Sequence, residues 1–141
     1  MVEPSRNNAE MSQKKGAVLF LSPVSAGFPS PADDFLEKNL DLNTHLIQHP
    51  SATFFVRVRG ESMINGGIQS GDILIVDRSL ETINNRIVIA LVNGEFTVKR
   101  IRKTGGKLWL VPENTRYRPM EITPDMEFEI WGVVTYTIHK L

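Results

Sequence analysis

The sequence predicts an all-β fold: a compact, highly curved β-domain preceded by a flexible N-terminal arm. Three observations carry that prediction. Short segments rich in β-branched and aromatic residues recur at close, regular spacing from Thr53 onward. Turn signals built on glycine separate them. Almost nothing in that region shows the 3.6-residue apolar repeat of a helix.

Taken in order, residues 1–31 read as the arm and residues 32–141 as the domain. The first 15 residues are polar, include the pairs Asn7-Asn8 and Lys14-Lys15, and show no periodic pattern, so they are expected to be mobile. Residues 33–42 read as a short helix capped by Asp33 or Asp34, with Phe35, Leu36 and Leu40 on one face. Residues 53–58 are the first strand of the domain. Gly66-Gly67 and Ser70-Gly71-Asp72 mark turns, and 73–76 is a short apolar strand. Residues 86–92 (Arg-Ile-Val-Ile-Ala-Leu-Val) are apolar on both faces, as a central strand should be. Asn93-Gly94 is the strongest hairpin signal, a type I′ turn, and it leads into a strand over 95–102. Gly105-Gly106 turns into a strand over 107–111, and the last strand covers about 127–139.

Composition narrows the function. The chain has 141 residues, enough for one domain with a core. Lysine plus arginine and aspartate plus glutamate stand at 16 each, so the formal net charge is zero. Binding through DNA phosphates usually needs a basic excess, so direct sequence-specific DNA binding is not expected. There is no cysteine, which excludes disulfides, thiolate metal sites and a cysteine nucleophile, and which fits a reducing cytoplasm. Lys14-Lys15 followed by Ala17-Val18-Leu19-Phe20-Leu21 imitates a signal peptide, but this apolar run is shorter than the roughly 7–15 residues such a core needs. No run approaches the roughly 18 apolar residues of a membrane helix. A soluble protein with no cofactor is expected.

Two segments carry chemistry. Gly60-Glu61-Ser62-Met63 places a serine on a tight turn bounded by glycine. Phe96-Thr97-Val98-Lys99-Arg100 places a lysine among apolar residues, opposite the apolar strand 86–92. A neutral lysine can take the proton that makes a serine hydroxyl nucleophilic. Its ordinary pKa of about 10.4 must first fall, which burial away from anions achieves. Thr97 shares the strand face of Lys99 and can hydrogen-bond the amine. The backbone N–H groups of Glu61 and Ser62 are candidates for an oxyanion hole. Upstream, Ala26-Gly27 is a small-residue bond in the Pro-rich stretch Val24-Ser25-Ala26-Gly27-Phe28-Pro29-Ser30-Pro31 and is a candidate cleavage site. The plainer reading of the same residues is an ordinary turn and a solvated strand lysine.

Other clusters point less far. His45 and His49 have i, i+4 spacing, but Pro50 stops a helix there and no glutamate completes a zinc motif, so no metal site is expected. The basic residues Lys99, Arg100, Arg102, Lys103 and Lys107 read as a solvated hairpin face. Trp109 and Trp131 read as core or interface residues.

The residues also carry a resemblance. The runs 27–32, Asp41-Leu42-Asn43 and 46–53 (Leu-Ile-Gln-His-Pro-Ser-Ala-Thr) are similar to the UmuD family of SOS-response proteins, within the wider LexA/UmuD group of Ser-Lys self-cleaving peptidases. So are Ser62-Met63-Ile64, Gly66-Gly67-Ile68, Gly71-Asp72, Leu74-Ile75-Val76-Asp77 and 94–99 (Gly-Glu-Phe-Thr-Val-Lys). The resemblance covers about residues 17–138. It implies the curved β-domain of that peptidase group, Ser62 as nucleophile, Lys99 as general base and cleavage of Ala26-Gly27. It implies stimulation by the RecA–single-stranded-DNA filament and a shortened product, 27–141, that joins a UmuC-type Y-family polymerase in translesion synthesis. It implies a homodimer before and after cleavage. A catalytically silent interaction domain and a truncated repressor-like regulator are the alternatives. Members of that family typically carry Cys-Gly at the cleaved bond; Ala26-Gly27 is the repressor-like pair. The 26 residues ahead of that bond are too few for a repressor's DNA-binding domain, which favours the polymerase accessory. For cleavage the arm is expected to lie in the cleft with 18–21 or Val24 as an added strand.

Overall fold

The computed structural model describes residues 2–4, 17–20, 26–27 and 37–141. The chain divides into two compact units, Met1–Arg6 with His49–Leu141, and Asn7–Gln48. The sequence placed the end of the arm at residue 31; the compact units part at residues 48 and 49.

In the larger unit β1 (Val2–Pro4), β4 (Thr53–Val58), β5 (Ile73–Asp77), β6 (Ile87–Val92), β7 (Glu95–Thr104), β8 (Lys107–Val111), β9 (Met120–Ile122) and β10 (Phe128–Ile138) form one sheet. The order is β1-β4-β5-β10-β6-β7-β8-β9, and every neighbouring pair is antiparallel. The predicted strands stand where expected within a residue or two. The three-residue β1 and β9 were not foreseen. Asn93 and Gly94 have φ of 48° and 84°, the pair of positive angles a type I′ turn requires, so the hairpin delivers β7 beside β6 in fixed register.

The central strand is apolar on both faces because it feeds two cores. Ile89 enters one with Val56, Val58, Met63, Ile68, Leu74, Val76 and Val98. Val88 and Ala90 enter the other with Ile101, Leu110 and Val133. A single sheet can close over two cores only if it bends. The bend is in β10, whose register shifts between Ile130 and Gly132 against β6 and between Val134 and Tyr136 against β5. Trp131 stands at the first shift and meets Phe96 edge-on, with ring centroids 4.8 Å apart.

Two buried aspartates pin the ends of β5. Asp72 accepts from the Gln69 N–H at 2.9 Å and the Thr137 hydroxyl at 3.1 Å, and meets His139 Nδ1 at 2.6 Å. Asp77 accepts from the Ser79 N–H at 2.8 Å and its hydroxyl at 2.6 Å, and meets His49 Nδ1 at 2.6 Å. Burial pushes both carboxyls up, but these hydrogen bonds outweigh it and hold both below the ordinary aspartate value. A depressed folded-state pKa stabilises the fold above the unfolded value and loses that effect as pH falls through the folded value. Asp72→Ala, which strands the Gln69 N–H and the Thr137 hydroxyl, is expected to lower stability by about 1–3 kcal/mol at neutral pH. Urea titrations should show the gap narrowing once the pH falls below about 4.

In the smaller unit β2 (Ala17–Phe20) pairs antiparallel with β3 (Glu37–Leu40). This corrects the helix expected over 33–42: residues 37–40 are extended, because ladder pairing with β2 overrides a weak local helix preference. Asp33 to Leu36 lie outside the described residues. The helix of this region is α1 (Leu42–Leu46), capped by Asp41, whose side chain accepts from the Asn43 N–H and the Thr44 hydroxyl, both at 3.0 Å. It ends at Leu46, so His45 and His49 do not share a helix face. Of the segment expected to add to the cleft, Val18 to Phe20 are already paired with β3. Leu21 and Val24 lie outside the described residues. None of the helices is long and apolar enough to cross a membrane among the described residues.

Candidate active site

Ser62 is held out on a turn anchored from below. After β4 the chain reverses at Gly60, whose φ of 99° lies in the left-handed region open to glycine. Ser62 follows, half-buried, and Met63 plugs the turn into the core with 1% exposure. A 3-10 turn over Ile64–Gly66 closes the loop.

Lys99 reaches Ser62 from β7. It lies opposite Val88 of the central strand, with Thr97 and Ile101 on its own face and Val98 on the other. Its Nζ stands 2.9 Å from Ser62 Oγ, 2.7 Å from Thr97 Oγ1 and 3.1 Å from the Val98 carbonyl oxygen. Burial lowers its pKa from the ordinary lysine value. No carboxylate among the described residues pairs with it, so nothing there opposes the shift.

The three neighbours suit a neutral amine. Such an amine has two N–H donors and one lone pair. The Val98 carbonyl can only accept, the Thr97 hydroxyl can accept the second N–H, and the lone pair is left for the Ser62 O–H. That is the protonation pattern of a base about to take a serine proton. Thr97→Val removes one partner at nearly constant volume. It should lower the limiting reaction rate about 5-fold through looser orientation of the amine, read from a rate measured at high pH.

The backbone N–H groups of Glu61 and Ser62 donate to none of the described residues, so both remain open to an oxyanion. Beside Lys99 lies an open cleft of about 750 Å³, with Glu95, Thr97, Leu110, Arg118 and Met120 among its walls. Ala26 and Gly27 form an exposed bend in the smaller unit. The structure thus brings Ser62, Lys99 and Thr97 together.

Sequence reasoning missed Glu113 and Asn114, which hold the serine turn. They are some 50 positions away and carry no local motif that would announce the contact. The basic residues expected to form one solvated face divide between uses: Arg100 pairs with Glu113 at 2.6 Å and Lys107 lies 3.8 Å from Glu121.

The Peptidase S24-like family model matches residues 19–135. The chain is 46% identical over 120 residues to Protein MucA of Salmonella typhimurium, covering 84% of this chain and 82% of MucA. It is 47% identical over 124 residues to Protein SamA of Salmonella typhimurium strain LT2, covering 88% and 86%. It is 43% identical over 128 residues to Protein ImpA of Escherichia coli, covering 86% and 83%.

Proposed function

Since this chain belongs to the Peptidase S24-like family, a family of serine-peptidase kind, we propose that it is a self-cleaving SOS mutagenesis protein that cuts its own Ala26-Gly27 bond. The observation that carries the reading is the 2.9 Å approach of Lys99 Nζ to Ser62 Oγ, with a burial-depressed amine. Neutral Lys99 takes the Ser62 proton as Oγ attacks the Ala26 carbonyl carbon. The oxyanion that forms takes hydrogen bonds from the Glu61 and Ser62 N–H groups. Protonated Lys99 then returns its proton to the departing Gly27 nitrogen as the peptide bond breaks. Water, deprotonated by the same amine, attacks the acyl-serine and frees the Ala26 carboxylate and Ser62.

Ala26 and Gly27 suit this role by size, since neither side chain obstructs a close approach of the backbone to the serine. Val24, three positions before the cut, is the remaining candidate for an added strand in the cleft. The cleaving pose is rarely populated in the free protein, and the RecA–single-stranded-DNA filament raises its population without supplying catalytic groups. The product, residues 27–141, acts with a UmuC-type Y-family polymerase in translesion synthesis. The protein is a cytoplasmic homodimer before and after the cut.

The test is intact-mass spectrometry after incubation with activated filament. Masses matching residues 1–26 and 27–141 support the reading. A chain that stays whole under these conditions and at pH 10 overturns it in favour of a silent interaction domain.

A further inference from the structure

Ser62 sits on a turn outside the sheet, and Lys99 sits on a strand within it. Their separation is therefore set by whatever ties turn to strand. Below, the tie is Met63. Above, it is the segment that follows β8. The Glu113 N–H donates to the Ser62 carbonyl at 2.8 Å, and the Asn65 N–H donates to the Glu113 carbonyl at 2.8 Å. The Asn114 side-chain amide donates to the Glu61 carbonyl at 2.9 Å. A Cβ added to Gly66 would lie 3.0 Å from Glu113 Cγ, so the turn is seated directly under that side chain.

The Glu113 carboxylate runs on to β7. It accepts from Arg100 Nε at 2.6 Å, and Arg100 is the residue after Lys99. A second nitrogen of the same guanidinium donates to the Asn85 carbonyl at 2.5 Å, which fixes the arginine before β6 begins. One side-chain ion pair thus joins the segment that holds the nucleophile's turn to the base's strand, and both of its members are only partly exposed, at 27% and 31%.

We propose that Arg100, Glu113 and Asn114 form a positioning clamp that sets the distance between Ser62 Oγ and Lys99 Nζ. The proposal rests on the reading of these two groups as the reacting pair. None of the three clamp residues touches the reacting atoms. They act through the backbone on both sides of Ser62. Displacement of a reacting group by about 1 Å can lower a rate on the order of 100-fold, so a clamp of this kind has large leverage on catalysis with little on folding.

The test compares wild type, Glu113→Gln, Arg100→Gln and the double variant across pH 7–10. Two rates are read: self-cleavage, and labelling of Ser62 by a fluorophosphonate, which needs the serine and its base but not the arm. The clamp predicts that both limiting rates fall together by about 10–100-fold in each single variant. The midpoint of the pH profile stays in place, and the melting temperature moves by no more than about 5 °C. The double variant is no worse than either single one, because one pair is broken in all three. Should Glu113→Gln fail to fold, Asn114→Ala keeps the ion pair, loses the bond to Glu61 together with the one its side chain accepts from the Arg116 N–H, and carries the same comparison. Unchanged limiting rates overturn the clamp. So does a loss explained by a moved midpoint, which makes the effect electrostatic, or one that tracks a fallen melting temperature, which makes it structural. Slower cleavage with unchanged labelling assigns these residues to arm docking and also overturns it. A wild type that neither cleaves nor labels removes the reading of the dyad, and the clamp with it.

Discussion

Ser62→Ala and Lys99→Ala are each expected to abolish self-cleavage while leaving the fold intact. The two losses have different origins. Without Ser62 there is no nucleophile, and no acyl intermediate can form. Without Lys99 the hydroxyl remains but has no base, and loss of a general base lowers a rate by about 10²–10⁴. Ser62 is half-buried on a loop whose anchor is its neighbour Met63, so shortening its side chain leaves the core unchanged. Intact-mass time courses at high pH measure both variants. Wild-type cleavage with either variant still cutting at a comparable rate would remove that residue from the mechanism. Lys99→Met gives a second readout. A buried amine with a depressed pKa disfavours the folded state wherever the unfolded lysine is charged. The substitution should therefore raise the melting temperature near neutral pH while eliminating activity.

Unassisted cleavage should accelerate with pH, which is the second large effect. Only the neutral amine can act as base. Below its folded-state pKa the neutral fraction, and with it the rate, rises about tenfold per pH unit, and above it the rate levels off. Because burial lowers that pKa, the plateau begins below the ordinary lysine range near 10.4. The sign for stability runs the same way. The unfolded chain holds the lysine proton over the interval between the two pKa values, so stability gained from this group grows as pH rises through it. A rate flat from pH 7 to 10 would exclude Lys99 as the titrating base.

Much of this was legible in the sequence where the information is local. Asn93-Gly94 encodes its turn in two residues, and the unbroken apolar run from Ile87 to Val92 encodes a strand buried on both sides. Ser62 and Lys99 stood out because each is a chemically capable residue in a distinctive local setting. What the sequence did not give depends on contacts between distant segments. Glu37 to Leu40 reads as helix until β2 pairs with it. Glu113 and Asn114 look like an ordinary loop until the serine turn is set against them. The His49–Asp77 and His139–Asp72 contacts join segments far apart in the chain, and no spacing rule reveals them. Strands β1 and β9 are three residues each, too short to show a period.

The central claim is that Lys99 is the base and is available in its neutral form. The most direct measurement is an NMR pH titration of the protein labelled with 13C at lysine Cε, with the Lys99 signal assigned by its absence in Lys99→Ala. Ser62→Ala would be used for the titration so that the chain stays whole. The account predicts that one lysine, Lys99, titrates below all the others, and that its midpoint matches that of the wild-type cleavage rate. A Lys99 signal that titrates with the remaining lysines would contradict it.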